Sequence, residues 1–263
     1  LLDICCAITG RVPAVGLHLT ENRAGAVLVQ LVDVPVEMQK DELFYPVFGY
    51  LLGKIARDRV PVVTGLEVRP TEDQLKLLCA AVASSGQVGL FHLVGLTPEA
   101  PTLEAAFQGR EPGTGVAVTV QDLQDAHREL DTASEEPLDL VTVGCPHFSL
   151  AEFEQLAELV AGRRAHPGVR FIVTSNREMV RRAREAGHLE ALETFGGSVT
   201  VDACPLTTPM LPPEIKTAMT NSGKHAYYAP GLLKTRVALG SLSDCVCSAV
   251  AGRVVRTNPL WAI

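Results

Sequence analysis

A chain of 263 residues can bury a sizeable core, as one large α/β domain or two smaller ones. Hydrophobic residues make up 47 % and charged residues 20 %, while aromatics are only 5 %, so disorder is excluded and the core must rest on Ala, Val and Leu. The formal charge of -7, with no basic stripe and interleaved aromatics, argues against nucleic acid and for a small-molecule ligand.

The chain opens at Leu1 without Met and runs at once into a helix-like segment holding Cys5 and Cys6, which reads as a fragment rather than a native start. Adjacent residues on a helix point to different faces, and both thiols are expected in the core. The longest apolar stretch, Ala26 to Val32, contains Gln30 and stops at Asp33, far too short and polar to span a bilayer. Cys79, among Leu77, Leu78, Ala80 and Ala81, also reads as core. Val88 to Val94 is a buried-strand candidate, and Thr119 with Asp122 is placed to cap a helix from Val120 to Leu130. Gly109 to Gly115 and Asp131 to Pro137 read as loops.

Residues 138 to 204 repeat one pattern of apolar strand, small polar turn and capped helix. Leu138 to Val143 is a strand, Gly144 to Phe148 a turn, and Ser149 with Glu152 a capping box before a helix through Val160. Val169 to Val173 is the next strand, Ser175 with Glu178 a second capping box, and Gly187 a left-handed helix terminator. A third strand, Ser198 to Asp202, ends beside Cys204, and a short helix is expected to begin near Pro213. Strands alternating with helices predict an α/β fold of mostly parallel sheet layers flanked by helices, with ligands beyond the carboxyl ends of the strands.

Cys145 and Cys204 both fall at such ends. The turn holding Cys145 precedes a helix, where unpaired amides and the helix dipole favour thiolate over thiol, able to ligate metal or attack a substrate. The competing reading is a small buried apolar residue. Two such thiols at one edge of one sheet favour a shared site for a soft-ligand metal. Cys245 and Cys247 lie in a helical segment and read as buried packing. Seven cysteines without dense spacing suit reduced thiols in cytoplasm rather than a secreted disulfide framework.

The turn Thr220 to Lys224 concentrates amide, hydroxyl, flexible backbone and ammonium, and can hold a carboxylate or phosphate; the alternative is a solvated surface turn. A P-loop would need Gly in place of Ala218, Ser or Thr in place of His225, and a strand ending just upstream, which the sequence does not predict. His147 and His225 flank the two turns, as proton donors, substrate contacts or hydrogen-bonded structural residues.

Several stretches together resemble the aconitase X family, which includes phosphomevalonate dehydratase large subunits and cis-3-hydroxy-L-proline dehydratases. They are Ala7 to Pro13 followed by Gly16 to His18, Gly95 to Thr102, Gly144 to Ser149, Asp202 to Cys204, Thr220 to Lys224, and Gly240-Ser241 with Cys245-Val246. The resemblance covers nearly the whole chain. It implies an aconitase-like fold, with residues 1–263 as part of the catalytic large domain, lacking its N-terminal part and the small swivelling domain. It also implies a hydro-lyase dehydrating a hydroxy acid, cis-3-hydroxy-L-proline being preferred and phosphomevalonate the alternative. A non-catalytic anion-binding α/β module is the rival from another class.

The family's iron-sulfur cluster, 2Fe-2S or 4Fe-4S, is held by three cysteines, of which Cys145 and Cys204 match two. The third is expected upstream of Leu1, and a serine base on the separate swivelling domain or subunit. Lys224 matches a substrate-binding lysine, with Asn221 and Ser222 adding hydrogen bonds to the same anionic group and Gly223 letting the backbone approach it. One departure is Tyr227, where the family commonly has His.

Overall fold

The computed structural model describes residues 1–113, 115–133 and 137–261. In chain order its first half carries α1 (Leu2–Thr9), β1 (Val27–Leu31), α2 (Val36–Lys40), α3 (Phe44–Ala56), β2 (Pro61–Thr64), α4 (Glu72–Gly86), β3 (His92–Leu93), α5 (Leu103–Ala106), β4 (Val116–Val118) and α6 (Val120–Leu130). The second half carries β5 (Leu140–Val143), α7 (Leu150–Val160), β6 (Arg170–Ser175), α8 (Arg177–Glu185), α9 (His188–Phe195), β7 (Gly197–Val201), β8 (Thr217–Thr220), α10 (Gly223–Leu232), β9 (Arg236–Leu239) and α11 (Leu242–Ala251). Of the two expected loops, residue 114 and residues 134–136 lie outside the described residues.

The strands form two sheets, ordered β3-β2-β1-β4 and β7-β6-β5-β8-β9, and every strand pair in both is parallel. Period-two alternation sorts the first sheet: Val27, Val29 and Leu31 face one core, while Leu28 faces a smaller one with Val62, Ala100, Ala106 and Phe107. The larger core takes Phe44 and Phe48 of α3, Leu78 and Val82 of α4, and Leu123 and Leu130 of α6. It also takes Ala226 and Ala229 of α10 and Val237 and Leu239 of β9, so these helices join the two sheets. Val141, Val143, Phe171 and Val173 face the opposite side, against Phe153, Leu156, Leu192 and Val246.

Local signals account for most helix starts. Thr119 with Asp122 and Ser149 with Glu152 form complete capping boxes, as expected. Gly187, at φ 81°, separates α8 from α9. The expected box at Ser175 does not form: Asn176 caps α8 by accepting from Met179 N at 2.9 Å, while Ser175 Oγ donates to the Phe148 carbonyl at 2.7 Å. Asn176→Ala should therefore lower the unfolding free energy by about 1 kcal/mol. Glu178→Ala, which removes only an exposed pair with Arg181, should stay within about 0.5 kcal/mol, and denaturant titration of both variants checks the assignment.

Other expectations are corrected. Val88 to Val94 shortens to the strand His92–Leu93, the two residues that pair with Val62 and Val63 of β2. The stretch near Pro213 is not helical; the strand β8 follows it and ends at Thr220, directly before the turn expected to lack a strand. Cys5 and Cys79 are exposed and Cys6 and Cys247 only half-buried, leaving Cys245 alone of the five fully in a core. In α1 no residue is buried, so the apolar look of its sequence does not translate into packing within this chain.

The halves are also tied by polar contacts around α11. Glu42 Oε1 accepts from the Leu242 amide at 2.7 Å, and Asp244 Oδ1 accepts from Thr257 N at 2.8 Å. Asp41 accepts from Asn258 Nδ2 at 2.6 Å and from Trp261 Nε1 at 2.9 Å. The C-terminal segment thus straps the second half to the start of α3.

Candidate functional site

The second sheet grows outward from β5 in both directions, through β6 to β7 on one side and through β8 to β9 on the other. Where strand order reverses, the connections after two neighbouring strands leave toward opposite faces and open a crevice at the carboxyl edge. A cavity of about 360 Å³ lies there, lined by Gly144, Cys145, Pro146 and His147 after β5, Thr174 of β6, Ala203, Cys204 and Pro205 after β7, Lys224 after β8, and Lys76 of α4.

Each wall has a local cause. Gly144 takes φ 88°, and a side chain there would meet the Thr174 carbonyl at 2.2 Å, so only glycine lets the turn fold over the end of β6. Thr174 Oγ1 donates to the Gly144 carbonyl, and Phe148 N donates to the Thr174 carbonyl at 3.0 Å. Ser222 Oγ donates to the Cys145 carbonyl while accepting from His225 N at 3.1 Å as the N-cap of α10. From α4, Lys76 Nζ donates to the His147 carbonyl at 3.0 Å. The Cys204 carbonyl accepts from Thr207 N at 3.1 Å and Thr208 N at 2.9 Å, which closes the turn after β7.

Electrostatics at Cys145 differ from the expectation of a favoured thiolate. Burial dominates and pushes its thiol pKa up; the Lys224 ammonium and a hydrogen bond with Ser222 pull it down, and the neighbouring Cys204 raises it again. Helix α7 begins at Leu150, so its dipole lies too far off to outweigh desolvation. The Lys224 ammonium and Cys204 both act on Cys145, which places the three residues close together at the cavity. The Lys224 ammonium has no ion-pair partner among the described residues.

The expected residues thus divide. Cys145, Cys204 and Lys224 line the cavity together, with His147 at its exposed rim. Asn221 and Ser222 are buried behind the turn, and Ser222 already serves as cap and backbone clamp. Gly223 does not approach a ligand: it opens α10, and a side chain on it would meet the Pro46 carbonyl of α3 at 2.6 Å. His225 is fully buried with neither ring nitrogen hydrogen-bonded, and burial holds its pKa down at about 4, so it stays neutral. Tyr227 is not among the cavity-lining residues; its ring lies tilted against Tyr50 and edge-on to Tyr228, so the departure from His falls outside this pocket. Lys76 and Thr174 are wall residues that sequence reasoning did not single out, and nothing near them in the chain marks them.

Two thiols at one cavity suit soft-metal ligation, but among the described residues no group of three or more His, Cys, Asp or Glu could hold a metal ion. The fit is that of a partial ligand set. A doubly wound parallel sheet with two thiols and, among the described residues, an unpaired ammonium over its carboxyl edge defines the class: an α/β protein with a switch-point pocket that brings a cation and soft donors together.

Comparison with known proteins makes this specific. Residues 25–128 match the aconitase X second domain and residues 138–251 the aconitase X third domain. The chain is 46% identical to a cis-3-hydroxy-L-proline dehydratase of Pseudomonas aeruginosa, over 99% of this chain and 45% of that protein. It is 33% identical to a phosphomevalonate dehydratase large subunit of Methanocaldococcus jannaschii, over 92% of this chain and 59% of that one. The crystal structure of Thermococcus kodakaraensis aconitase X in its holo-form superposes with a TM-score of 0.78 at 30% identity, covering 94% of this chain and 60% of that one. The chain belongs to the aconitase X family. It spans about half the length of the relatives it matches.

Proposed function

We propose that this chain is the thiol-bearing part of an iron-sulfur-dependent hydro-lyase that dehydrates cis-3-hydroxy-L-proline. The observation that carries the reading is the meeting of Cys145, Cys204 and Lys224 at one switch-point cavity, in a chain whose relatives are named dehydratases. Cys145 and Cys204 would hold two positions of a cluster, 2Fe-2S or 4Fe-4S, with the remaining ligand from outside the described residues. When bound, that group would supply Lewis acidity toward the leaving hydroxyl.

The chain's own residues do the rest of the positioning. Lys224 holds the substrate carboxylate, Ser222 fixes the backbone at Cys145, and the cavity walls limit water. No carboxylate lines the cavity among the described residues, and we assign the proton acceptor to a small swivelling domain or subunit, with His147 at the rim as the group in this chain that could also take the proton. A methanogen relative is named a large subunit, which supports such a partner. Among the described residues no helix is long and apolar enough to cross a membrane; with all seven cysteines free, we assign the protein to the cytoplasm.

One uncommitted ammonium at the cavity among the described residues supports a substrate with one carboxylate over one that also carries a phosphate. Anaerobic reconstitution of the full-length protein with iron and sulfide, then assay against both hydroxy acids, tests this. Turnover of phosphomevalonate alone would transfer the substrate assignment, and no turnover with either would leave an anion-binding module. Lys224→Met should raise KM by roughly tenfold to a hundredfold, the loss of one charge-assisted hydrogen bond. Because the carboxylate keeps its charge through the reaction, kcat should change little, and steady-state kinetics separates the two.

A further inference from the structure

Lys76 lines the same cavity as Lys224 but stands differently toward a ligand. A lysine ammonium has three donors. Those of Lys76 meet Asp73 Oδ1 at 2.8 Å, the His147 carbonyl at 3.0 Å and Glu152 Oε2. The two carboxylates are themselves tied to the start of α7: Glu152 Oε2 accepts from Ser149 N at 2.8 Å, and Asp73 Oδ2 accepts from Ser149 Oγ at 2.7 Å. Asp73 and Lys76 belong to α4 in the first half, while His147 and Ser149 belong to the β5–α7 connection and Glu152 to the first turn of α7 in the second. One cation between two carboxylates gives no surplus positive charge to attract an anion. Burial raises the pKa of Glu152, and Lys76 is the main influence pulling it back.

We propose that Lys76 is a positioning residue, clasping α4 to the turn that carries Cys145 and so setting where that thiol stands against Cys204, and is not a second anchor for substrate. This deepens the hydro-lyase reading and rests on it only for the kinetic part of its test. The clasp acts through the His147 carbonyl two residues beyond Cys145, opposite the clamp that Ser222 applies at the Cys145 carbonyl itself. Without Lys76, the turn keeps its contacts from β6 and α10 and the bond from Ser149 Oγ to Asp73, but loses the α4 contact made to its own backbone at His147.

The test uses the full-length protein and three variants: Lys76→Met, Glu152→Gln, and Lys54→Met as a control that breaks an ion pair with Glu129 away from the cavity. In metal-free protein, a short bis-thiol-reactive reagent should bridge Cys145 to Cys204 in the wild type, read by peptide mass spectrometry. The bridged fraction should fall roughly fivefold or more in Lys76→Met and stay level in Lys54→Met, since small displacements of a positioned group have large effects on its reactions. After reconstitution, Lys76→Met should lose iron per chain and roughly tenfold in kcat, with KM within about twofold of wild type. A raised KM at full iron content would make Lys76 a substrate anchor and overturn the proposal, as would unchanged bridging and kcat. If Lys76→Met does not fold, Glu152→Gln, which keeps shape and removes one charge, must show the same split in smaller degree, and its failure to do so also overturns the proposal. A wild type that takes up no iron and dehydrates neither hydroxy acid defeats the functional reading alone, while the bridging yields still decide the role of Lys76.

Discussion

Replacing Cys145 or Cys204 with alanine in the full-length protein is expected to abolish both retained iron and dehydration of the hydroxy acid. Each substitution deletes one of the two thiols that line the cavity among the described residues. Losing only an outer hydrogen-bonding partner of a metal ligand already costs about tenfold to a hundredfold, so losing a ligand should exceed the upper figure. The folded state should survive, because both thiols are only half-buried at the cavity and each contributes little core area. Cys79→Ala, at an exposed position away from the cavity, should leave iron content and rate unchanged. Iron analysis, visible absorbance and activity on the four proteins settle it: full iron in either site variant would remove that cysteine from the ligand set.

Glu42→Gln is expected to stabilise the protein by on the order of 3 kcal/mol above neutral pH and by almost nothing near pH 4. Burial pushes the Glu42 carboxyl from its ordinary 4.5 up to about 7; the Leu242 amide and Ser241 oppose this, and Asp41 and Asp244 add to it. The sign follows from proton binding. Between these two values the unfolded chain has released the proton while the fold still holds it, so stability is greatest below about pH 4.5 and declines as pH rises through about 7. Glutamine keeps an oxygen to accept from Leu242 N and carries no charge to desolvate beside the two aspartates. Urea titrations at pH 4, 6 and 8 check it; parallel wild-type and variant curves at all three would show that Glu42 ionises freely in the fold.

Much of the second half was legible because its signals are local. A capping box such as Ser149 with Glu152 is completed within four residues, and left-handed Gly187 needs no partner at all. Parallel strands buried on both faces read as continuous apolar runs, which is why β5 and β6 are legible to within two residues, whereas β7, a partly exposed edge strand, shows in its β-branched alternation. The Ser175 box failed because the neighbouring Asn176 competed for the same amides and the Phe148 carbonyl claimed the serine. The misplaced helix near Pro213 hid β8, whose four residues Thr217–Thr220 are too short and too mixed to signal a strand.

The sequence by itself determined the α/β class, the family, and the candidacy of Cys145, Cys204 and Lys224, since residue type and position after a strand or in a turn sufficed for each. Only the tertiary structure decided which lysine is available to a ligand. Lys76 and Lys224 are alike as residues, but a salt bridge depends on chains far apart in sequence: Glu152 stands 76 positions from Lys76. The same cause reversed the expected Cys145 thiolate, because a helix start is written in nearby residues whereas desolvation comes from every element that closes over the group. Exposure of Cys79 and burial of His225 belong here too, for burial depends on which helix face meets another element, and that is settled only when the two sheets and the helices between them come together.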